Sequence, residues 1–405
     1  MQVNPANGIV YSTKFHNKGL ETHELGTHAA PWFLSKAIRS SEHYTSNWEE
    51  ADIVYIDDYC LYTKWLADVH SVGRDQPTLA GQALDLAYSL LLAAPRWQRN
   101  YGADFVLYDA HPGYRAGSAM HSVQSKICYA FTNATMLIVD TPQRNVCPSF
   151  MVMPRVFVTP YAPNSLGRSS PDHLGLPPRV LLSDRPTLVY SRTQCHLQKT
   201  TNAGQSMRLF FSQHAMTNQT DVDVKCTNRE LGGQHAPFEE MFAAMSHSKF
   251  CMAFPGDAAS TRRLSELMLS GCIPVFAGPP YHSMPFSEHV DWQAAGVFFN
   301  VTDYTPWSDE KLEFSLSPTV RSIHETEARW WVPDAPVHGA FIPINTAYEL
   351  IPHLRFMPEQ EVRQKLQYVD SVRSRFRFVT SFTEPPNAAN TLMSTICQAQ
   401  GQQTA

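Results

Sequence analysis

SKFCMAFPGDAASTRRLSELMLSGCIPVFAG, residues 248–278, reads as strand, loop, helix and strand in one pass. The run 249–254 is a strand ending at Pro255-Gly256-Asp257, a turn whose glycine permits positive φ and close approach of a ligand. Ser260 or Thr261 suits the cap of a helix over 261–270, which leaves its first backbone N–H groups open toward the loop. Leu264, Leu267 and Met268 form its core stripe, Gly271 ends it, and 272–277 is the next buried strand. Arg262 and Arg263 stand in the first turn, where cations oppose the helix dipole. A phosphate group at that helix start accounts for both the open amides and the arginines. Glu266, three residues after Arg263, lies on a different side from the stripe. An ordinary surface helix with an Arg-Glu pair is the alternative that spacing alone leaves open.

Alternating strands and helices extend in both directions from this segment. Upstream of it, TLVYS (187–191), a helix near 204–215, DVDVKC (221–226) and FEEMFAAMSHS (238–248) complete a second α/β domain. Earlier still come IVYS (9–12), a helix at 30–41, ADIVYID (51–57), a helix at 78–93, and strands at 103–110, 134–140 and 155–162. Strands separated by helices predict a mostly parallel sheet covered on both faces. The Pro-, Gly- and Ser-rich stretch 163–186 is the linker candidate. The expected organisation is therefore a domain at 1–165, a linker at 166–186, a domain at 187–355, a helix at 356–380 and a tail at 381–405. The charged, amphipathic helix at 358–378 is expected to pack back on the first domain, and the last ten or so residues to be disordered. Two such domains make a cleft, with ligands at the carboxyl ends of the strands.

Composition narrows the function classes. The 405 residues are 43% hydrophobic and 17% charged with a formal net charge of −5, ordinary for a folded soluble protein. No basic stripe points to nucleic acid. The eight cysteines show no C-x-x-C spacing, which argues against zinc, while their even number permits disulfides. Sequons at Asn133, Asn218 and Asn300 allow a secretory compartment without requiring one. No apolar run reaches the roughly 20 residues of a membrane-spanning helix, and no signal peptide or anchor is visible. Asp221 and Asp223 spell D-x-D, but the alternation of TDVDVKC is that of a half-buried strand with both aspartates facing solvent. No metal ligand set is expected. A nicotinamide oxidoreductase is excluded by the lack of G-x-G-x-x-G after the first strand.

The segment resembles the exostosin family, glycosyltransferase family 47. The carriers are PGD at 255–257, STRRLSEL at 260–267, GCIPV at 271–275 and PFSEHVDW at 285–292, in the family's order and spacing. SKFCMAFPGD is similar to the family's S-K-F-C-L-x-P-x-G-D. Weaker likenesses lie at EEADIVYIDDY (49–59), PRWQRNYGADFVLYDAHPG (95–113), PRVFVTPYAP (154–163) and ELIPHLRFMPEQEVRQKL (349–366), so nearly the whole chain is covered.

The resemblance implies a GT-B fold of two Rossmann-like domains facing across a cleft. It also implies inverting transfer from a UDP-sugar to a glycan or glycoprotein acceptor, without an obligatory metal or other cofactor, and a Golgi lumenal location. On this reading Glu266 accepts the ribose hydroxyls, and Arg263, Arg192 and Arg208 meet the pyrophosphate. Pro255, Gly256, Asp257 and Ser260 line the same pocket. Inversion needs a general base from the first domain. Asp109 and His111 in YDAHPG, at a strand's carboxyl end, are the first candidates, and Asp57 and Asp58 the second. The family commonly has H-D-W-G at the first position and Val-Pro at the second, so neither role carries over from it. A member that binds nucleotide or glycan without transferring sugar is the competing function.

Overall fold

The computed structural model describes residues 2–3, 10–11, 29–59, 78–109, 131, 133–139, 155–163, 176, 178–195, 208, 211–212, 219–227, 237–254, 260–277, 284–301, 341–380, 382 and 386–401. The chain divides into two compact units. Unit 1 comprises Met1–Tyr161, Leu166–Ser169 and Phe378–Ala405, and unit 2 comprises Ala162–Ser165 and Ser170–Arg377.

In unit 1, β1 (Gln2–Val3) and β2 (Val10–Tyr11) pair antiparallel with each other. The strand expected at 9–12 is thus half of a two-stranded ribbon rather than the first strand of the parallel sheet. Helix α1 (Ala30–Ser40) has Pro31 in its first turn, where a missing N–H costs nothing, and buries Phe33, Leu34 and Ala37. Strands β3 (Val54–Ile56), β4 (Phe105–Asp109), β5 (Thr135–Ile138) and β6 (Val156–Val158) form a parallel sheet in that order. Helices α2 (Leu79–Ala93) and α3 (Pro95–Asn100) connect β3 to β4. The Thr78 hydroxyl caps α2 by accepting the Gly81 N–H at 3.0 Å. Every residue of β4 and β5 is buried, as a central parallel strand requires. Leu84, Tyr88, Trp97, Phe105, Phe131 and Met136 make the core on one face.

The buried Arg96–Asp104 ion pair, 2.7 Å apart, ties α3 to the start of β4. Between them Gly102 sits at φ +75°, and a Cβ there would stand 2.4 Å from the buried Trp97 ring. Gly102→Ala is therefore expected to destabilise unit 1 by about 2–4 kcal/mol, from backbone strain plus overpacking. A urea titration reads this as a lowered midpoint, and an unchanged midpoint would show that Trp97 moves aside without cost.

Unit 2 contains β7 (Thr187–Thr193), β8 (Val222–Cys226), β9 (Ser248–Met252), β10 (Ile273–Phe276), β11 (Val297–Val301) and β12 (Ile342–Ile344). They form one parallel sheet in the order β12-β11-β10-β9-β7-β8. Helices α4 (Phe238–Ser246), α5 (Arg263–Ser270) and α6 (Trp292–Ala295) connect the strands, and α7 (Leu350–Phe356) follows the last one. Gly271 ends α5 at φ 72°, the left-handed cap that suits a glycine. A disulfide joins Cys251 of β9 to Cys272, the residue before β10, and a second joins Cys195 to Cys226.

The helix expected at 358–378 is α8 (Glu359–Val372). It belongs to unit 2, where Val362 and Leu366 enter the sheet core and Lys365 Nζ donates to Gln293 O and Gly296 O, both at 2.8 Å. A cation capping the carbonyls at the end of α6 holds the helix there. The chain returns to unit 1 only at Phe378, whose ring packs on Phe33. The stretch expected to be a tail then forms α9 (Ala388–Gly401), which packs on α1 and buries Leu392, Ile396 and Ala399. Its weak polarity contrast and lack of charge hid it from the sequence reading. No helix among the described residues is long and apolar enough to cross a membrane.

Candidate functional site

In unit 2 the candidate site lies where β7, β8 and α5 meet. Strand β7 is buried over Leu188–Ser191 and emerges at Arg192 and Thr193. Beside it β8, an edge strand, points Val224 and Cys226 inward and exposes Lys225. Arg192 reaches across to β8: Nη2 donates to Asp223 Oδ2 at 2.5 Å and Nη1 to the Asp223 carbonyl at 3.0 Å. The guanidinium also lies 5.0 Å from the centre of the Tyr190 ring. Burial alone raises the Asp223 carboxyl, but hydrogen bonds from Arg192 and Lys225 and their charges outweigh it and hold the group below the usual carboxylate range.

Arg263, the first residue of α5, links this pair to Glu266. Its Nη2 donates to the Arg192 carbonyl at 3.1 Å and its Nη1 to Glu266 Oε2 at 2.5 Å. Arg262 Nε stands 3.7 Å from the other oxygen, Glu266 Oε1. The Glu266 side chain is only 2% exposed, whereas those of Arg263 and Arg262 are 24% and 31% exposed. A buried carboxylate is thus paired with two partly exposed arginines.

The helix start differs from the expected one. Its cap position is Arg262, without a side-chain cap bond, and the Leu264 and Ser265 amides are taken by the Thr261 and Arg262 carbonyls at 3.2 and 3.1 Å. Backbone turns therefore satisfy the Leu264 and Ser265 amides, two of those expected to face a phosphate. Ser260 is buried beside this start. Arg208 Nη1 donates to Gln194 O at 3.1 Å, which brings it to the residue just after β7. Pro255, Gly256 and Asp257 lie outside the described residues.

Of the D-x-D pair, Asp221 precedes β8 and is bonded to Arg355 at 2.7 Å, while Asp223 is the partner of Arg192. Both side chains are partly covered rather than facing free solvent, because each is folded under an arginine. The sequence reading missed Asp223 as a site residue. The diagonal between Arg192 and Asp223 across adjacent parallel strands was the signal, and it needs the pairing register, Tyr190 opposite Asp223, to be seen.

Unit 1 has its own cluster at the carboxyl ends of β3 and β4. Asp57 accepts Ser35 Oγ at 2.6 Å and Arg39 Nη2 at 2.9 Å, both from α1. Half-buried Asp58 accepts the Tyr88 hydroxyl from α2. Its carboxyl is raised to about 7, by burial first and then by the charges of Asp57 and Asp109, against the lowering effect of the Tyr88 bond. Asp109, the last residue of β4, is buried. His111 lies outside the described residues. Tyr88 reads in sequence as a plain core position of α2, so its tie to Asp58 had no local signal.

Comparison with known proteins places these features in a family context. The model of the Exostosin GT47 domain matches residues 10–307. Exostosin-1a of Danio rerio is 28% identical over 139 residues, covering 34% of this chain and 17% of that protein. A protein named probable glucuronosyltransferase, from Oryza sativa subsp. japonica, is 25% identical over 276 residues, covering 67% of this chain and 60% of the relative. One named probable beta-1,4-xylosyltransferase, from Arabidopsis thaliana, is 25% identical over 300 residues, covering 72% and 65%. In each case the chain spans less than two thirds of the relative's length.

Proposed function

Because the chain belongs to the exostosin GT47 family, we propose that it is an inverting glycosyltransferase moving a sugar from a UDP-sugar to a glycan or glycoprotein acceptor. The observation that carries this reading is the Arg192–Arg263–Glu266 linkage at the carboxyl end of β7, inside the family-matched region. On this proposal UDP occupies unit 2. The two Glu266 oxygens exchange part of their arginine contact for the ribose hydroxyls, a vicinal diol that a carboxylate matches. Arg263, Arg192 and Arg208 neutralise the diphosphate as negative charge develops on it, which a metal does in other transferases. Pro255, Gly256, Asp257 and Ser260 are proposed to line the pocket.

In the reaction an acceptor hydroxyl oxygen bonds to the anomeric carbon while the bond from that carbon to the UDP oxygen breaks. The electron pair leaves with UDP, and the hydroxyl proton passes to a base. Among the candidates of unit 1 we assign that base to Asp58 in preference to Asp109 and His111. It is half-buried and therefore reachable, it is poised near neutrality, and Tyr88 fixes its orientation. The two disulfides of unit 2 support an oxidising compartment, so the Golgi lumen is the location proposed.

A panel of UDP-sugars, each tested for binding by calorimetry and for transfer to oligosaccharide acceptors, checks the proposal. Micromolar UDP binding with turnover of one sugar is the expected result. UDP binding without turnover on any acceptor would leave a nucleotide- or glycan-binding member, and no UDP binding would remove the donor-site reading altogether.

A further inference from the structure

The disulfide Cys195–Cys226 bridges the carboxyl ends of two adjacent strands at the place where the donor arginines are anchored. Cys226 is the last residue of β8, and Cys195 lies two residues beyond the end of β7, with 5.5 Å between their Cα atoms. Strand β8 is at the sheet edge and, among the described strands, pairs with β7 alone. Arg192 takes two of its acceptors from that edge strand, the Asp223 carboxylate and carbonyl, besides the Ser191 carbonyl of its own strand. Arg208 reaches the other side of the bridge, donating to the carbonyl of Gln194, the residue next to Cys195. Beyond the bridge the last ladder bond runs from Thr227 N to Thr193 O at 2.8 Å. Cys251–Cys272 is placed differently: it joins β9, in the middle of the sheet, to the amino end of β10.

We propose that Cys195–Cys226 is a positioning disulfide for diphosphate recognition, which fixes the edge strand so that Arg192 and Arg208 are held at one spacing. The proposal rests on the nucleotide-sugar reading of unit 2. An edge strand that frays would carry Asp223 with it and release Arg192, while Gln194 would release Arg208. The cross-link stops that motion without touching the nucleoside part of the ligand.

The test is the Cys195→Ser/Cys226→Ser double variant of the full chain, which leaves no odd thiol in unit 2. UDP and uridine are titrated into the variant and the parent. The expected result is a UDP dissociation constant raised at least tenfold with uridine binding changed less than twofold, since only the diphosphate contacts depend on the bridge. Equal weakening of both ligands would make the disulfide merely structural, and unchanged UDP affinity would overturn the proposal outright. Should the serines prevent folding, Cys195→Val/Cys226→Ala fills the same buried space and takes the same two titrations. A parent protein that does not bind UDP would instead overturn the donor-site reading, so the two failures are distinguishable.

Discussion

Glu266→Gln is expected to weaken UDP binding by one to two orders of magnitude. The substitution keeps size and shape but removes a buried negative charge that two arginines share. In the free protein, Arg263 and Arg262 lose an ionic partner while remaining partly hydrated, so the stability cost is small beside that of a fully buried pair. In the complex, the ribose hydroxyls lose charge-assisted acceptors, each worth about 1.5–3 kcal/mol. Calorimetry with UDP reads the loss directly. Asp221→Asn serves as the control: its carboxylate is held by Arg355 at the surface, where an ion pair is worth at most about 1 kcal/mol, and UDP affinity should stay within twofold. Equal affinity of Glu266→Gln and parent would refute the ribose role.

Asp58→Asn is expected to abolish transfer, by about 10²–10⁴-fold in kcat, while UDP binds as before. The amide oxygen still accepts the Tyr88 hydroxyl, so the local geometry survives. The groups facing Asp58 are Tyr88 of α2, Asp57, which is itself bonded to Ser35 and Arg39 of α1, and Asp109 of β4. A base works when deprotonated, so the parent's rate should rise with pH through about 7 and level off above it. Stability runs the opposite way. The folded state raises this carboxyl from 3.8 to about 7, so its contribution is fully present below pH 4 and is lost as pH rises through 7. Asp58→Asn escapes that loss and should be more stable than the parent at pH 8, by at most about 4 kcal/mol. Thermal melts at pH 5 and pH 8 test this. A variant that is inactive and also less stable at pH 8 would mark Asp58 as structural rather than as the base.

The strand and helix alternation was legible because parallel sheets bury their strands on both faces, and the runs 105–108, 188–190 and 273–276 are apolar throughout. The donor segment was legible for a second reason: strand, helix and the Arg263–Glu266 spacing fall within one short stretch of chain, so local pattern contains the geometry. What stayed hidden was non-local. The pairing of Arg192 with Asp223 depends on strand register across 31 residues, and that of Asp58 with Tyr88 on how α2 lies over β3. In α8 the amphipathic pattern counts Lys365 as solvent-facing, whereas it caps α6. The Cys195–Cys226 pair likewise had no spacing signature among eight cysteines.

The interleaving of the units has a consequence for biosynthesis. Unit 1 takes its last helix from beyond Phe378, whereas the larger segment of unit 2 ends at Arg377. A ribosome therefore releases a complete second sheet, with both its cross-links available, before α1 has received its covering helix. The half that is read first is finished last, because α1 receives Phe378 and α9 only once the end of the described chain has emerged.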